Sequence, residues 1–158
     1  MRDTIWLFAF ALIGISLFLL TGTNGVMNTL GVTVQNGIQQ AAWSGQTTLN
    51  NMTSSGSSTA SAQTSVDQSA MTALVADLAP ISGSLLPDPT NTTNGQPVQI
   101  NGVTVAYETT SIQNNVVTVE VVGNLSVPWF ATFASGTFNG QSSFSSSGFD
   151  ITALGTTP

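Results

Sequence analysis

The side chains able to do chemistry in this chain are few and of one kind. Cys, His and Lys are absent, and Arg2 is the only basic residue. The seven acids are Asp3, Asp67, Asp77, Asp88, Glu108, Glu120 and Asp150, giving a formal net charge of −6 and a pI near 4.1. General acid–base catalysis and activated nucleophiles draw mostly on His, Cys, Lys or paired carboxylates. Only carboxylates remain here, and their scatter along the chain reads as separate, solvated acids. The softer metals lose their usual ligands without Cys or His. Calcium can bind through oxygens, but no Asp-rich loop is present. There is also no phosphate loop and no catalytic triad. The expectation is a protein that is not an enzyme and uses no cofactor or metal. A chain this poor in cations cannot neutralise phosphates, which argues against nucleic-acid binding. An anionic membrane surface would not attract it either.

The remaining chemistry is modification. Asn51-Met52-Thr53, Asn91-Thr92-Thr93 and Asn124-Leu125-Ser126 are N-glycosylation sequons. Ser and Thr supply 42 of the 158 residues, whereas charged residues make up only 5%. O-linked sugars on the Ser/Thr tract are equally compatible with this composition, and glycans would supply the solubility that charge does not. The mean hydropathy of +0.27 argues against wholesale disorder. The length suits one globular domain plus an extra element. With no Cys there is no disulfide framework, and so no evidence on redox compartment.

Residues 5–20 read IWLFAFALIGISLFLL, with no charge. Ile5, Trp6, Leu7, Phe8, Phe10, Leu12, Ile13, Ile15, Leu17, Phe18, Leu19 and Leu20 are its large apolar members. Sixteen helical residues span roughly 24 Å, slightly short of the ~20 residues a membrane-spanning helix needs. Three readings fit such a run: a cleaved secretory signal, a plain membrane anchor, or a retained helix that leaves the membrane to pack into a filament core. The residues that follow favour the third. Val26, Leu30, Val34, Ile38 and Ala41 or Ala42 recur at steps of three and four, which makes one helix face. No Pro occurs before Pro80, so this pattern runs on for several turns beyond an anchor. Gly22 and Gly25 fall within four residues, and each costs about 1 kcal/mol relative to Ala, so a kink or melted turn is expected there.

Residues 50–65, NNMTSSGSSTASAQTS, read as a low-complexity linker. A second helix is expected over residues 63–79, with Val66, Ala70, Ala73 or Leu74, and Leu78 as its apolar stripe and Pro80 as its stop. Its expected task is to pack on a β-domain. From Pro97 the period changes to two. Val103, Val105 and Tyr107 alternate with Thr104, Ala106 and Glu108; after a turn at residues 113–115, Val117, Val119 and Val121 alternate with Thr118 and Glu120. This is a hairpin pattern. Asn101-Gly102 and Asn139-Gly140 are tight-turn signals, and Gly148 is expected to mark a bulge between Phe144 and Phe149. Residues 128–133 are apolar and aromatic, suited to core packing or to a contact between subunits. The expected fold is α+β: residues 1–51 a hydrophobic then amphipathic helix, residues 52–65 a linker, and residues 66–158 a surface domain with a short helix and an antiparallel sheet of four or five strands.

A very short polar N-terminus, an apolar helix, an amphipathic extension and a β-rich tail together resemble the type IV filament superfamily. The layout is similar to type IV pilins and to Tad-type pilins and pseudopilins, and archaeal pilins share the Ser/Thr-rich, Lys-poor β-domain. The resemblance covers the whole chain as architecture and the first ~50 residues as a sequence pattern. It implies a leader removed by a prepilin peptidase just before the hydrophobic stretch, with residue 1 as the mature N-terminus. It implies insertion in the membrane before assembly, handling by inner-membrane pilus machinery, and a helical homopolymer at the cell surface that serves adhesion or surface attachment. One departure stands out. The family usually carries Glu at the fifth mature position, where it pairs with a neighbour's terminal amine, but this chain has Ile5. Asp3 is the nearby acid, and the Met1 amine or Arg2 is its available partner, since a carboxylate in a dry core needs one. The alternative is a low-copy, membrane-anchored pseudopilin of a secretion or conjugation system. A secreted enzyme or sugar-binding domain on an anchor is the third class, disfavoured by the missing catalytic groups.

Overall fold

The computed structural model describes residues 2–88, 95–126, 135–145 and 148–157, with side chains placed for residues 5–18, 21–22, 25–88 and 95–126. The chain is α+β: among the described residues, two helices pack on an antiparallel sheet and a short 3₁₀ helix follows the second of them. The first helix, α1 (Arg2–Ser54), has 53 residues and is roughly 80 Å long. It passes through Gly22 and Gly25 as continuous helix, so the chain does not melt there. These glycines weaken the helix without removing any backbone donor, and the flanking hydroxyls of Thr21 and Thr29 donate back to the carbonyls of Leu17 and Gly25 at 2.8 and 3.0 Å.

The face expected from the spacing is buried at Leu30, Val34, Ile38, Ala41 and Ala42, and it continues through Gln46 and Leu49. Val26, its expected first member, is 45% exposed. The reason is the length of the second helix, α2 (Thr59–Leu78). It runs antiparallel to α1, with Val66 near Gly45 and Leu78 near Gly37. It therefore ends before it can cover Val26.

The Ser/Thr tract expected as a linker is instead a helix stop, a tight turn and a helix start. Gly56 takes the left-handed conformation (φ 86°) that ends many helices. Ser57 N–H donates to the Met52 carbonyl at 3.0 Å and Gly56 N–H to the Thr53 carbonyl at 3.0 Å, satisfying the last carbonyls of α1 in a Schellman arrangement. Ser58 then caps α2, its side chain accepting from Ser61 N–H at 3.3 Å. The small polar residues that look like linker composition are thus capping chemistry. The apolar stripe of α2 is Ala62, Val66, Ala70, Leu74 and Leu78, all buried, with Leu74 rather than Ala73 facing the core. Pro80 falls in the 3₁₀ helix (Ala79–Ser84) that closes the segment.

Among the described residues the sheet has six strands: β1 (Leu85–Leu86), β2 (Gln96–Ile100), β3 (Val103–Gln113), β4 (Val116–Ser126), β5 (Ser135–Ser145) and β6 (Gly148–Thr157). Their order is β2-β3-β4-β5-β6, and β1 pairs with the far end of β4 beside the stretch that β3 covers. The β2–β3 turn uses Asn101 and Gly102 at φ 53° and 81°, and the β3–β4 turn uses Asn114 and Asn115 at φ 52° and 62°. Both positive φ values in each pair suit the twist of a hairpin. Asn139-Gly140 makes no turn. It lies inside β5, where Gly140 pairs with Val121 on one side and Leu154 on the other. Strands claim it from both edges, so its turn preference is overridden. The register shift is at Gly140/Gln141, and Gly148 opens β6 instead of forming a bulge.

A second register shift changes what faces the core. Between the pairs Val98↔Ala106 and Gln99↔Thr104, β3 carries one extra residue, Val105. Side chains alternate across a strand, so one inserted residue moves all that follow to the other face. Val105 and Ala106 are both buried, and from there Glu108 and Thr110 point inward while Tyr107 is only half-buried. The regular alternation expected across Val103, Val105 and Tyr107 is interrupted at this point. On β4 the expected alternation holds, with Val117, Val119, Val121 and Leu125 in the core.

Candidate functional site

Two features of this fold are not accounted for by its own packing. The first is the N-terminal part of α1. From residue 5 to residue 18, ten large apolar side chains are between 52% (Leu12) and 78% (Phe18) exposed. They are Ile5, Trp6, Leu7, Phe8, Phe10, Leu12, Ile13, Ile15, Leu17 and Phe18. Within the segment Trp6 and Phe10 meet one turn apart, ring centroids 6.3 Å from each other. Among the described residues, the contacts of α1 with α2 and β4 lie in its C-terminal half, around Gly37 and Gly45, and nothing lies within 4 Å of a carbon added at Gly14. The outer face of that half also carries exposed apolar groups, Val32 at 56% and Trp43 at 57%. Among the described residues no helix is long and apolar enough to cross a membrane. The side chains of Arg2, Asp3, Leu19 and Leu20, and all of Met1, lie outside the described residues, as do residues 128–133.

The second feature is a carboxylate in the core. Glu108 is 0% exposed, turned inward by the Val105 bulge. Thr110, two residues along the same face of β3, donates its hydroxyl to Glu108 Oε1. No hydrogen-bond donor reaches Oε2. What faces Glu108 from α2 is the carboxyl group of Asp67, with which it can bond only by sharing a proton. Burial, with Asp67 adding to it, raises the Glu108 pKa to about 7, and the Thr110 hydrogen bond opposes the rise. A groove of about 480 Å³ opens here, lined by Gln63, Thr64, Asp67, Gly95, Gln96, Glu108, Thr109 and Thr110. Gln63 donates to the Thr110 carbonyl at 2.9 Å, which joins the helix to the strand beside the carboxylates.

The acids expected as scattered solvated groups are therefore not all so. Asp67 and Glu108 are brought together, and Asp88 is buried at 9% exposure. Nothing in the local sequence marks Glu108, because the bulge that turns it inward depends on how β2 pairs with β3. Of the three sequons, Asn51 is exposed near the end of α1. Asn124 is half-buried in β4, and its amide nitrogen, the atom a glycan would occupy, donates to the Pro87 carbonyl at 3.2 Å. Asn91 lies outside the described residues. No group of three or more metal-ligating Asp or Glu side chains occurs among the described residues. Comparison with protein-family models, with curated proteins and with solved structures finds no match to this chain.

Proposed function

We propose that this chain is a structural subunit of an extracellular, type IV pilus-like filament. The observation that carries the reading is the uncovered apolar stretch of α1, residues 5–18. Burying a Leu, Ile or Phe side chain is worth roughly 1.5–3 kcal/mol, so ten of them in water are a large unpaid cost unless another surface covers them. A second copy of the same helix is the simplest cover. Repeated with a non-closing helical symmetry, it yields a filament with α1 at its centre and the α2–sheet unit outside. In this reading the segment is membrane-inserted before assembly, and a prepilin peptidase and inner-membrane machinery handle the precursor. The outer surface, poor in charge and rich in Ser and Thr, serves adhesion or surface attachment and carries glycans, Asn51 being the exposed sequon among the described residues.

Electron microscopy of material sheared from the cell surface tests this. Long filaments made mainly of this chain, with density for α1 along the axis, are expected. Recovery of the chain only from detergent-extracted membranes, with none in sheared filaments, would instead identify the low-copy pseudopilin of a secretion or conjugation system.

A further inference from the structure

The buried carboxylate poses a problem of charge that the sequence cannot solve internally. With no Lys and no His in the chain, Arg2 is the one cationic side chain. It sits at the start of α1, whereas α2 meets α1 near Gly45, roughly 65 Å further along the helix axis. No cation of the same subunit can pair with Glu108. Two carboxyl groups that face each other across a helix–strand contact then need a shared proton or a positive ion from outside.

The surroundings suit an ion. Glu108 Oε2 is buried with no donor, and Glu108 is one of the residues that line the groove. The same lining includes Asp67, Thr110 and Gln63, whose side chains carry a carboxylate, a hydroxyl and an amide oxygen. These are hard oxygen donors. Nitrogen and sulfur ligands are absent from the groove, which disfavours zinc, copper and iron. Calcium accepts six to eight oxygen ligands in irregular geometry and tolerates water among them. Magnesium demands a tighter octahedron and gives up its water reluctantly.

We propose that the groove between α2 and β3 binds one calcium ion, held by the carboxylates of Asp67 and Glu108 with oxygens of Thr110 and Gln63, and that the ion ties α2 to the sheet. With only two charged ligands the affinity falls in the millimolar range typical of extracellular modules. The site is independent of the filament reading, because it uses neither the apolar stretch of α1 nor any second subunit.

The test is thermal unfolding of the full chain in detergent at pH 8, first in chelator and then in 10 mM calcium chloride. The melting temperature is expected to rise by several degrees with calcium and by much less with magnesium. Glu108→Gln and Asp67→Asn keep the shape of each side chain and are expected to abolish the calcium response. Circular dichroism in chelator establishes that each variant is folded, and Asp67→Asn, the less buried of the two, serves if Glu108→Gln does not fold. No calcium shift in the unaltered chain overturns the proposal, as does an equal shift in a folded variant.

Discussion

Gln46 Oε1 accepts the backbone N–H of Val117 at 2.9 Å, joining α1 to the start of β4 across 71 positions of sequence. The same side chain donates through Nε2 to the Asn115 carbonyl at 3.0 Å and to Asn50 Oδ1 at 3.0 Å. A single buried amide thus fixes the β3–β4 turn against the long helix. Replacing Gln46 with Leu removes these partners and leaves a buried backbone donor unmet, at a cost of about 1–3 kcal/mol. Chemical denaturation of the full chain in detergent measures it. An unchanged midpoint would show that the clamp contributes no stability.

Close packing just before Gln46 sets a second expectation. A Cβ at Gly45 would stand 3.0 Å from Val117 Cγ1 and 3.3 Å from Val66 Cγ1, where α1, α2 and β4 meet. Gly45→Ala is expected to destabilise by about 1–2 kcal/mol, the crowding outweighing the gain in helix propensity. At Gly31 nothing lies within 4 Å of the added carbon. Gly31→Ala should therefore stabilise by roughly 0.5–1 kcal/mol. Melting temperatures of the two variants should move in opposite directions.

Stability should also depend on pH through Glu108. Its folded pKa, about 7, lies above the ordinary 4.5, so the folded chain holds a proton that the unfolded chain releases. The contribution is full below pH 4.5 and is lost as pH rises through about 7, by up to about 3 kcal/mol. In chelator, the unaltered chain should melt lower at pH 8 than at pH 5, and Glu108→Gln should flatten that difference. A slope that persists in Glu108→Gln would assign the dependence to another acid.

The assembly reading predicts a separation of folding from polymerisation. Leu12→Asp or Phe10→Asp places a charge on the uncovered part of α1, far from the core residues of α2 and the sheet. Filaments should disappear from sheared material, while a soluble fragment signature by limited proteolysis stays that of the unaltered chain. Filaments of normal number and diameter from such a variant would remove this segment from the assembly contact.

Sugar attachment should follow exposure. Glycopeptide mass spectrometry is expected to find N-linked modification at Asn51 and none at Asn124, whose amide nitrogen is already bonded to Pro87. A glycan on Asn124 would require β4 to be accessible when the sugar is added.

The sequence alone determined the periodic parts of this protein. Leu30, Val34, Ile38 and Ala41 mark a helix face because a 3.6-residue period returns them to one side, and the same logic finds Ala70, Leu74 and Leu78 on α2. Val117, Val119 and Val121 mark β4 because a strand repeats every two. Composition alone also left Arg2 as the one basic side chain, but that any acid is buried out of its reach was decided by the tertiary structure. The tertiary structure decided what depends on partners. Asn139-Gly140 is strand because β4 and β6 pair with it. The tract around Gly56 and Ser58 is a cap because two helices meet there. Glu108 is buried because β2 and β3 pair around the extra residue Val105, and Asp67 reaches it because α2 folds back along α1. A bulge and a helix return are long-range choices of register and packing, which no local pattern in the residues themselves encodes.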